Sequence, residues 1–212
     1  MVERILAAGR AVLVEHGYDA FSTNRVATTA GVSPGSVYQY FPDKAAILEL
    51  VVDRYWEEVA DSVASSLADR LGEVGPAMLY DTADALIRAL EADRALLRVI
   101  AEELPLAHNR TRRAALERRV RELLAAYLLV RPEATSRPDP AVTAWVIVLA
   151  VENLALRWVL DEPPIAREAV ITEMSALVGG YLAHRGAPPS GAAVVWDTDV
   201  HSHQDCNRSA PP

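Results

Sequence analysis

The sequence predicts an all-α fold: three short N-terminal helices followed by a bundle of six longer ones. Three observations predict it. Apolar residues recur every three to four positions nearly throughout the chain. No hairpin dipeptide lies between alternating apolar runs, so no strand is indicated. Glycines and prolines then cut the helical pattern into nine segments, with no internal repeat.

The first segment, Arg4 to His16, puts Ile5, Ala8 and Val12 on one stripe beside Leu6, Gly9 and Leu13, and Gly17 stops it. Two short helices follow, Thr23–Ala30 and Pro34–Tyr40. Pro42-Asp43-Lys44 opens a long fourth helix to about Leu71. Its apolar stripe is Leu48, Val51, Val52, Tyr55, Val59 and Val63, with Asp43 near its positive end. Gly72, Gly75 and Pro76 break that pattern. Five further helices are expected at about Pro76–Glu91, Asp93–Leu104, Asn109–Val130, Asp139–Asp161 and Ile165–His184. Residues 1–44 read as an N-terminal domain and 45–185 as a bundle with its own core. The Pro/Gly/Ser-rich stretch 186–212 reads as a mobile tail.

The segment Thr23 to Pro42, TNRVATTAGVSPGSVYQYFP, carries the chemistry. Val26 and Ala30 lie at i, i+4 on one helix, and Ala27 is small enough to allow a close crossing. Gly31 ends that helix in a left-handed turn. Val32 plugs the turn, Ser33 can cap the next helix, and Pro34 at its first position loses only an orphaned N–H. Val37 and Tyr40 are expected to face back onto Val26 and Ala30. Together these meet the demands of a helix-turn-helix, at about residues 22–41. The outward face of the second helix is expected to be Gly35, Ser36, Tyr38, Gln39 and, at its end, Phe41. Glycine allows close backbone approach, and Gln and Ser offer groups that read base edges in a major groove.

Charge limits how such a surface could work. The chain of 212 residues carries a formal charge of −8, with 51% apolar and 24% charged residues. A protein that binds nucleic acid through bulk positive charge is excluded. The first 56 residues carry −1 and the remainder −7, so the acidic body must stand away from phosphates. Anchoring falls to Ser22, Thr23, Asn24, Tyr38 and Tyr40, to helix N-termini, and to Arg25 and Lys44, the single lysine. Two to four phosphate contacts per half-site imply a salt slope of roughly −2 to −4.

With these residues in view, positions 4–56 resemble the DNA-binding domain of TetR/AcrR-type transcriptional regulators. The motifs that carry the likeness are RILAAGRAVLVEHGYDAFSTNRVA, TAGVSPGSVYQYF and FPDKAAILELVVDRY. The resemblance implies a TetR-like architecture, a three-helix DNA-binding domain and a six-helix ligand-binding and dimerisation domain. It also implies ligand-relieved repression by a homodimer on a palindromic operator of double-stranded DNA, with an unnamed small-molecule effector. Thr23 would match a phosphate contact, Ser36, Tyr38 and Gln39 recognition positions, Tyr40 an aromatic reaching the backbone, and Lys44 a phosphate contact. Arg25 departs from the pattern, since many members carry an acid there. The reciprocal capping box from Ser22 is therefore absent, and Arg25 either adds a phosphate contact or faces solvent.

In the bundle, Ala141–Leu160 with Ile165–His184 is expected to form the dimer interface, through Trp145, Val148, Leu149, Leu156, Leu160, Met174, Leu177 and Tyr181. The alternative is a core confined to one chain. Tyr80, Glu102, Glu103, Trp145, Glu152 and Asn153 are polar or aromatic groups in apolar segments. They are candidates to orient a ligand in a cavity of roughly 300–1,000 Å³, the alternative being exposure or internal pairing. The arginine cluster Arg110, Arg112, Arg113, Arg118, Arg119 and Arg121, interleaved with Glu117 and Glu122, reads as a solvated helix face.

Other functions find little footing. His201, His203 and Cys206 lie in the tail without supporting residues, so no metal or cofactor is expected. No nucleophile–base pairing, phosphate-binding glycine loop or HExxH run points to an enzyme. Glu152, Asn153 and Arg157 interrupt the most apolar stretch, 141–160, which is expected to be a helix buried on most sides rather than a membrane span. No signal-peptide pattern is read, and a cytoplasmic protein with no membrane partner is expected. The alternatives to a repressor are an activator or ligand-independent regulator of the same fold, or a small-molecule-binding bundle with a vestigial head.

Overall fold

The computed structural model describes residues 1–68, 76–104 and 106–184. Leu71, the breakers at 72 and 75, and the 186–212 segment with His201, His203 and Cys206 lie outside the described residues, as do the side chains of Arg110, Arg112 and Arg113. Among the described residues the fold is all-α, without a strand. Its helices are α1 (Val2–His16), α2 (Thr23–Ala30), α3 (Pro34–Tyr38), α4 (Lys44–Ala68), α5 (Pro76–Glu91), α6 (Arg94–Arg98), α7 (Leu106–Val130), α8 (Pro140–Asp161) and α9 (Arg167–Ala183).

Each helix end has a local cause. Gly17 closes α1 with φ 72° and ψ 178°, its N–H donating to the Leu13 carbonyl at 2.9 Å. Gly31 closes α2 in the left-handed region, and the Val32 N–H returns to the Ala27 carbonyl at 3.0 Å. The Ser33 Oγ accepts the Ser36 N–H at 3.1 Å and starts α3. Asp43 accepts the Ala46 N–H at 2.9 Å and starts α4, while Asp139 accepts two N–H groups at the start of α8.

Two elements depart from the expected pattern. The segment expected as one helix over 93–104 is a short α6, capped by Asp93, that widens into one π-helical turn, Val99–Glu103, before Pro105. The second helix of the helix-turn-helix ends at Tyr38 rather than Tyr40, in a last turn closed by the Phe41 N–H on the Val37 carbonyl at 3.0 Å, and the Phe41 ring is buried.

One hydrophobic core runs from the head into the adjoining part of the bundle. In the head, Ile5, Leu13, Phe21, Val26 and Val37 enclose Ile47 and Val51 of α4. Gly9 lets that helix in: a Cβ there would stand 3.0 Å from Ile47 Cγ2. Ile87, Leu90, Leu97, Ile100, Val159 and Ile171 continue the same cluster into the bundle. Helix α4 is the shared member, packing on α1 at its start and on α5 and α7 further along.

Helix α8 is less enclosed than its sequence suggests. By length and apolarity it could cross a membrane, yet only 33% of its most apolar window is buried. The expectation of a helix covered on most sides is thus corrected. Val142, Trp145, Leu149 and Leu154 are exposed, although α8 packs on α5 and α7 and touches α6 and α9.

Candidate nucleic-acid interface and ligand cavity

The helix crossing is built from small and branched residues. Val26, Ala27 and Val37 are fully or almost fully buried between α2 and α3, so α3 is held by its inner face and presents the other. On the outer face Gly35 and Gln39 are exposed, Tyr38 is 55% exposed and Ser36 is half-buried, its hydroxyl 2.9 Å from Ser33 Oγ. A five-residue helix with two cooperating serines and Pro34 at its start is stiff for its length.

Tyr40 and Phe41 exchange the roles read from the sequence. Tyr40 was expected to face the crossing and is 48% exposed, whereas Phe41 was expected outside and is buried. Helical spacing accounts for the exchange: Gln39 keeps the right-handed conformation and the Phe41 N–H returns to the Val37 carbonyl at 3.0 Å, so Phe41, four residues on, shares the buried side of Val37 and Tyr40 turns outward. Thr23, expected as a phosphate contact, is buried as the first residue of α2. Ser22 is half-buried and its Oγ accepts the Arg25 N–H at 3.3 Å. Asn24, Arg25 and Ser33 are exposed.

The cations divide into engaged and open ones. Arg54 is ion-paired with Glu3, and the guanidinium holds that exposed carboxyl below the usual carboxylate range, chiefly through their hydrogen bond. Arg10 pairs with Asp93 and Glu58. Lys44 is exposed; its Nζ donates to the Phe21 carbonyl at 3.3 Å and lies 5.6 Å from the Tyr18 ring centroid. Arg25 makes no ion pair among the described residues. Arg25 and Lys44 are therefore the cations beside α3 that no carboxylate neutralises.

The bundle encloses a cavity of about 610 Å³. Its walls are Trp56, Val59, Ala60 and Val63 of α4, Met78, Thr82 and Leu86 of α5, Leu124 and Tyr127 of α7, Ile147 and Val151 of α8, and Met174 and Val178 of α9. The Thr82 hydroxyl is buried and has no hydrogen-bond partner among the described residues. Glu117 and Glu133 also line the cavity, the latter with Thr135 and Ser136 from the loop before α8.

Of the expected ligand residues, the cavity takes in Glu152. Tyr80 packs on the core instead, Glu102, Glu103 and Asn153 are exposed, and Trp145 is 49% exposed on the outside of α8. These expectations rested on polarity, whereas lining is decided by which helix face turns inward. Thr82 could have been found: it stands four residues from both Met78 and Leu86 on the inward stripe of α5.

The expected dimer residues also divide. Trp145, Leu149 and Leu177 are exposed, in company with Val142. Leu156, Leu160 and Met174 are buried within the chain, and Val148 lines the cavity. Tyr181 is half-buried beneath Arg137, whose guanidinium lies 4.0 Å from its ring centroid. Leu156, Leu160 and Met174 are thus corrected to intrachain packing, while Val148 and Tyr181 keep partly exposed surface.

Comparison with known proteins bears on this geometry. A sequence model of bacterial regulatory proteins of the tetR family matches residues 5–51, and one of the tetracyclin repressor-like C-terminal domain matches residues 76–182. An uncharacterized HTH-type transcriptional regulator, found in two strains of Mycobacterium tuberculosis, is 26% identical over 188 residues, covering 84% of this chain and 93% of its own. The fatty acid degradation regulator FadR of Bacillus halodurans superposes with a TM-score of 0.64 at 20% identity, covering 87% of this chain and 97% of that one. FadR of Bacillus subtilis, solved in complex with stearoyl-CoA, gives 0.64 at 17% identity over 86% and 98% of the two chains. Matched through its helix-turn-helix and through the bundle that follows, the chain belongs to the TetR family of bacterial transcriptional regulators.

Proposed function

We propose that this protein is a ligand-relieved transcriptional repressor that works in the cytoplasm as a homodimer on a palindromic operator. The observation that carries the reading is the double duty of α4. Lys44 at one end stands beside the helix-turn-helix, and Trp56, Val59, Ala60 and Val63 further along form a wall of the cavity. A ligand that moves that wall moves the head.

The outward residues Ser36, Tyr38 and Gln39 are the proposed base-reading set, with Gly35 allowing close approach. Ser22, Asn24, Arg25, Ser33, Tyr40 and Lys44 are the proposed backbone contacts. Thr23 supports them through the N-terminus of α2 rather than through an exposed hydroxyl. The exposed stripe of Val142, Trp145, Leu149 and Leu177 supports a twofold interface between bundles. Paired heads would reach successive major grooves about 34–36 Å apart. The effector is proposed to be a largely apolar small molecule, because the cavity walls are mostly aliphatic, with Thr82 as an orienting polar contact. It shifts the head only by its difference in affinity for the two states, worth about 1–3 kcal/mol.

The test is a selection of duplex DNA from a random pool, followed by gel shifts. A palindromic site is expected, with affinity collapsing when Tyr38→Ala and Gln39→Ala are combined. Unchanged affinity of that double variant would remove the assigned surface, and derepression absent on deletion of the gene would remove the repressor role.

A further inference from the structure

A second groove, of about 310 Å³, lies where the head meets the bundle and is separate from the ligand cavity apart from Val59, which borders both. Arg10 of α1, Tyr55, Glu58 and Ser62 of α4, Arg88 of α5, and Asp93 line it. Tyr55 is 3% exposed, and its hydroxyl has no hydrogen-bond partner among the described residues. Tyr55 lines the groove together with Asp93, Arg10 and Glu58. A buried, unpartnered hydroxyl is costly to keep, and its cost is recovered when an occupant bonds to it.

Counting donors and acceptors decides what the occupant must offer. Both groove carboxylates are turned toward Arg10. Asp93 takes the Arg10 Nε–H at 2.5 Å and the Leu96 N–H at 3.0 Å, and Glu58 faces Arg10 at 3.7 Å. Arg88 donates through Nε to Asp84 at 2.8 Å, which leaves both Nη groups for a second partner. Asp84 also answers Arg167 at 2.8 Å, so one carboxylate serves two guanidinium groups. Donor capacity is left at the Tyr55 and Ser62 hydroxyls and the far edge of Arg88. Val59, Ala89 and Ala92 supply an apolar patch beside it.

We propose that this groove is a second binding site, taking a small organic carboxylate whose oxygens bond Tyr55 and Arg88 and whose apolar body rests on Val59, Ala89 and Ala92. Bidentate geometry between guanidinium and carboxylate favours this class over a neutral hydroxyl compound. Because Arg10 belongs to the head and the other lining residues to the bundle, an occupant ties the two together.

Titration of the full chain with benzoate, without DNA, tests the site apart from any question of gene regulation. Benzoate is expected to bind and to raise the melting temperature of the wild type. Tyr55→Phe, which keeps the ring that meets Trp56 edge-on at 5.2 Å, is expected to melt no lower than wild type yet bind at least about tenfold more weakly. Arg88→Gln, a change at an exposed side chain, is expected to weaken binding similarly. No binding to the wild type, or undiminished binding by both variants, would overturn the site. Inorganic phosphate matching benzoate would overturn the assigned ligand class.

Discussion

Replacing Gly17 by alanine tests how the head is joined to the bundle. Gly17 sits at φ 72° and ψ 178°, a region in practice reserved for glycine, and holding an alanine there costs about 1–3 kcal/mol. A Cβ at this position would also stand 2.7 Å from Glu103 Oε2. That carboxylate is the free end of a flexible side chain, so it swings aside rather than clashing. It then gives up the Tyr18 N–H, which it accepts at 2.9 Å from the π-helical turn. A solvent-facing bond of this kind contributes about 0.5–1.5 kcal/mol. Gly17→Ala should therefore cost about 2–4 kcal/mol, a large share of a typical domain stability of about 5–15 kcal/mol.

Urea denaturation of the single and double variants separates the two parts. Glu103→Ala alone should cost about 0.5–1.5 kcal/mol. In that background Gly17→Ala should cost only its backbone part, so the two substitutions together cost less than their sum. A Gly17→Ala cost below about 1 kcal/mol, or strict additivity, would refute the assignment of both effects.

Three further outcomes are expected. Burial, aided by the Asp93 charge, raises the Tyr55 phenol above its ordinary range, so between about pH 10 and its folded pKa the unfolded chain releases a proton that the folded chain keeps. Stability should fall through that window in the wild type and less steeply in Tyr55→Phe, read from denaturation at about pH 9 and about pH 11. Ser33→Ala removes the cap of α3 and should cost about 1 kcal/mol in thermal unfolding. Trp145→Arg puts a charge into the proposed twofold interface and should weaken self-association at least about a hundredfold in sedimentation, with the monomer fold intact by circular dichroism.

The head was largely legible in the sequence. Gly31, Ser33 and Pro34 each answer a local demand, and every partner they need lies within a few positions. Where locality ends, so does legibility. The faces of Tyr40 and Phe41 were read the wrong way round, although Phe41 stands four residues from buried Val37 and bonds its carbonyl, which puts it on the inner side. In the bundle, Tyr80, Glu102 and Asn153 looked like ligand residues by composition, yet inwardness depends on the rotation of each helix about its axis. Helices that are apolar on several sides, such as α8, carry little record of that rotation.

By itself, then, the sequence determined most of the helices, their glycine stops and the helix-turn-helix, because capping, periodicity and steric demand at glycine act over a single turn of chain. Only tertiary structure decided which side of α8 stayed bare, which residues walled the cavity, and that Tyr55 and Arg88 meet at one groove. Those are consequences of how helices distant in sequence press together, and that pressure is a property of the packed core as a whole rather than of any one segment.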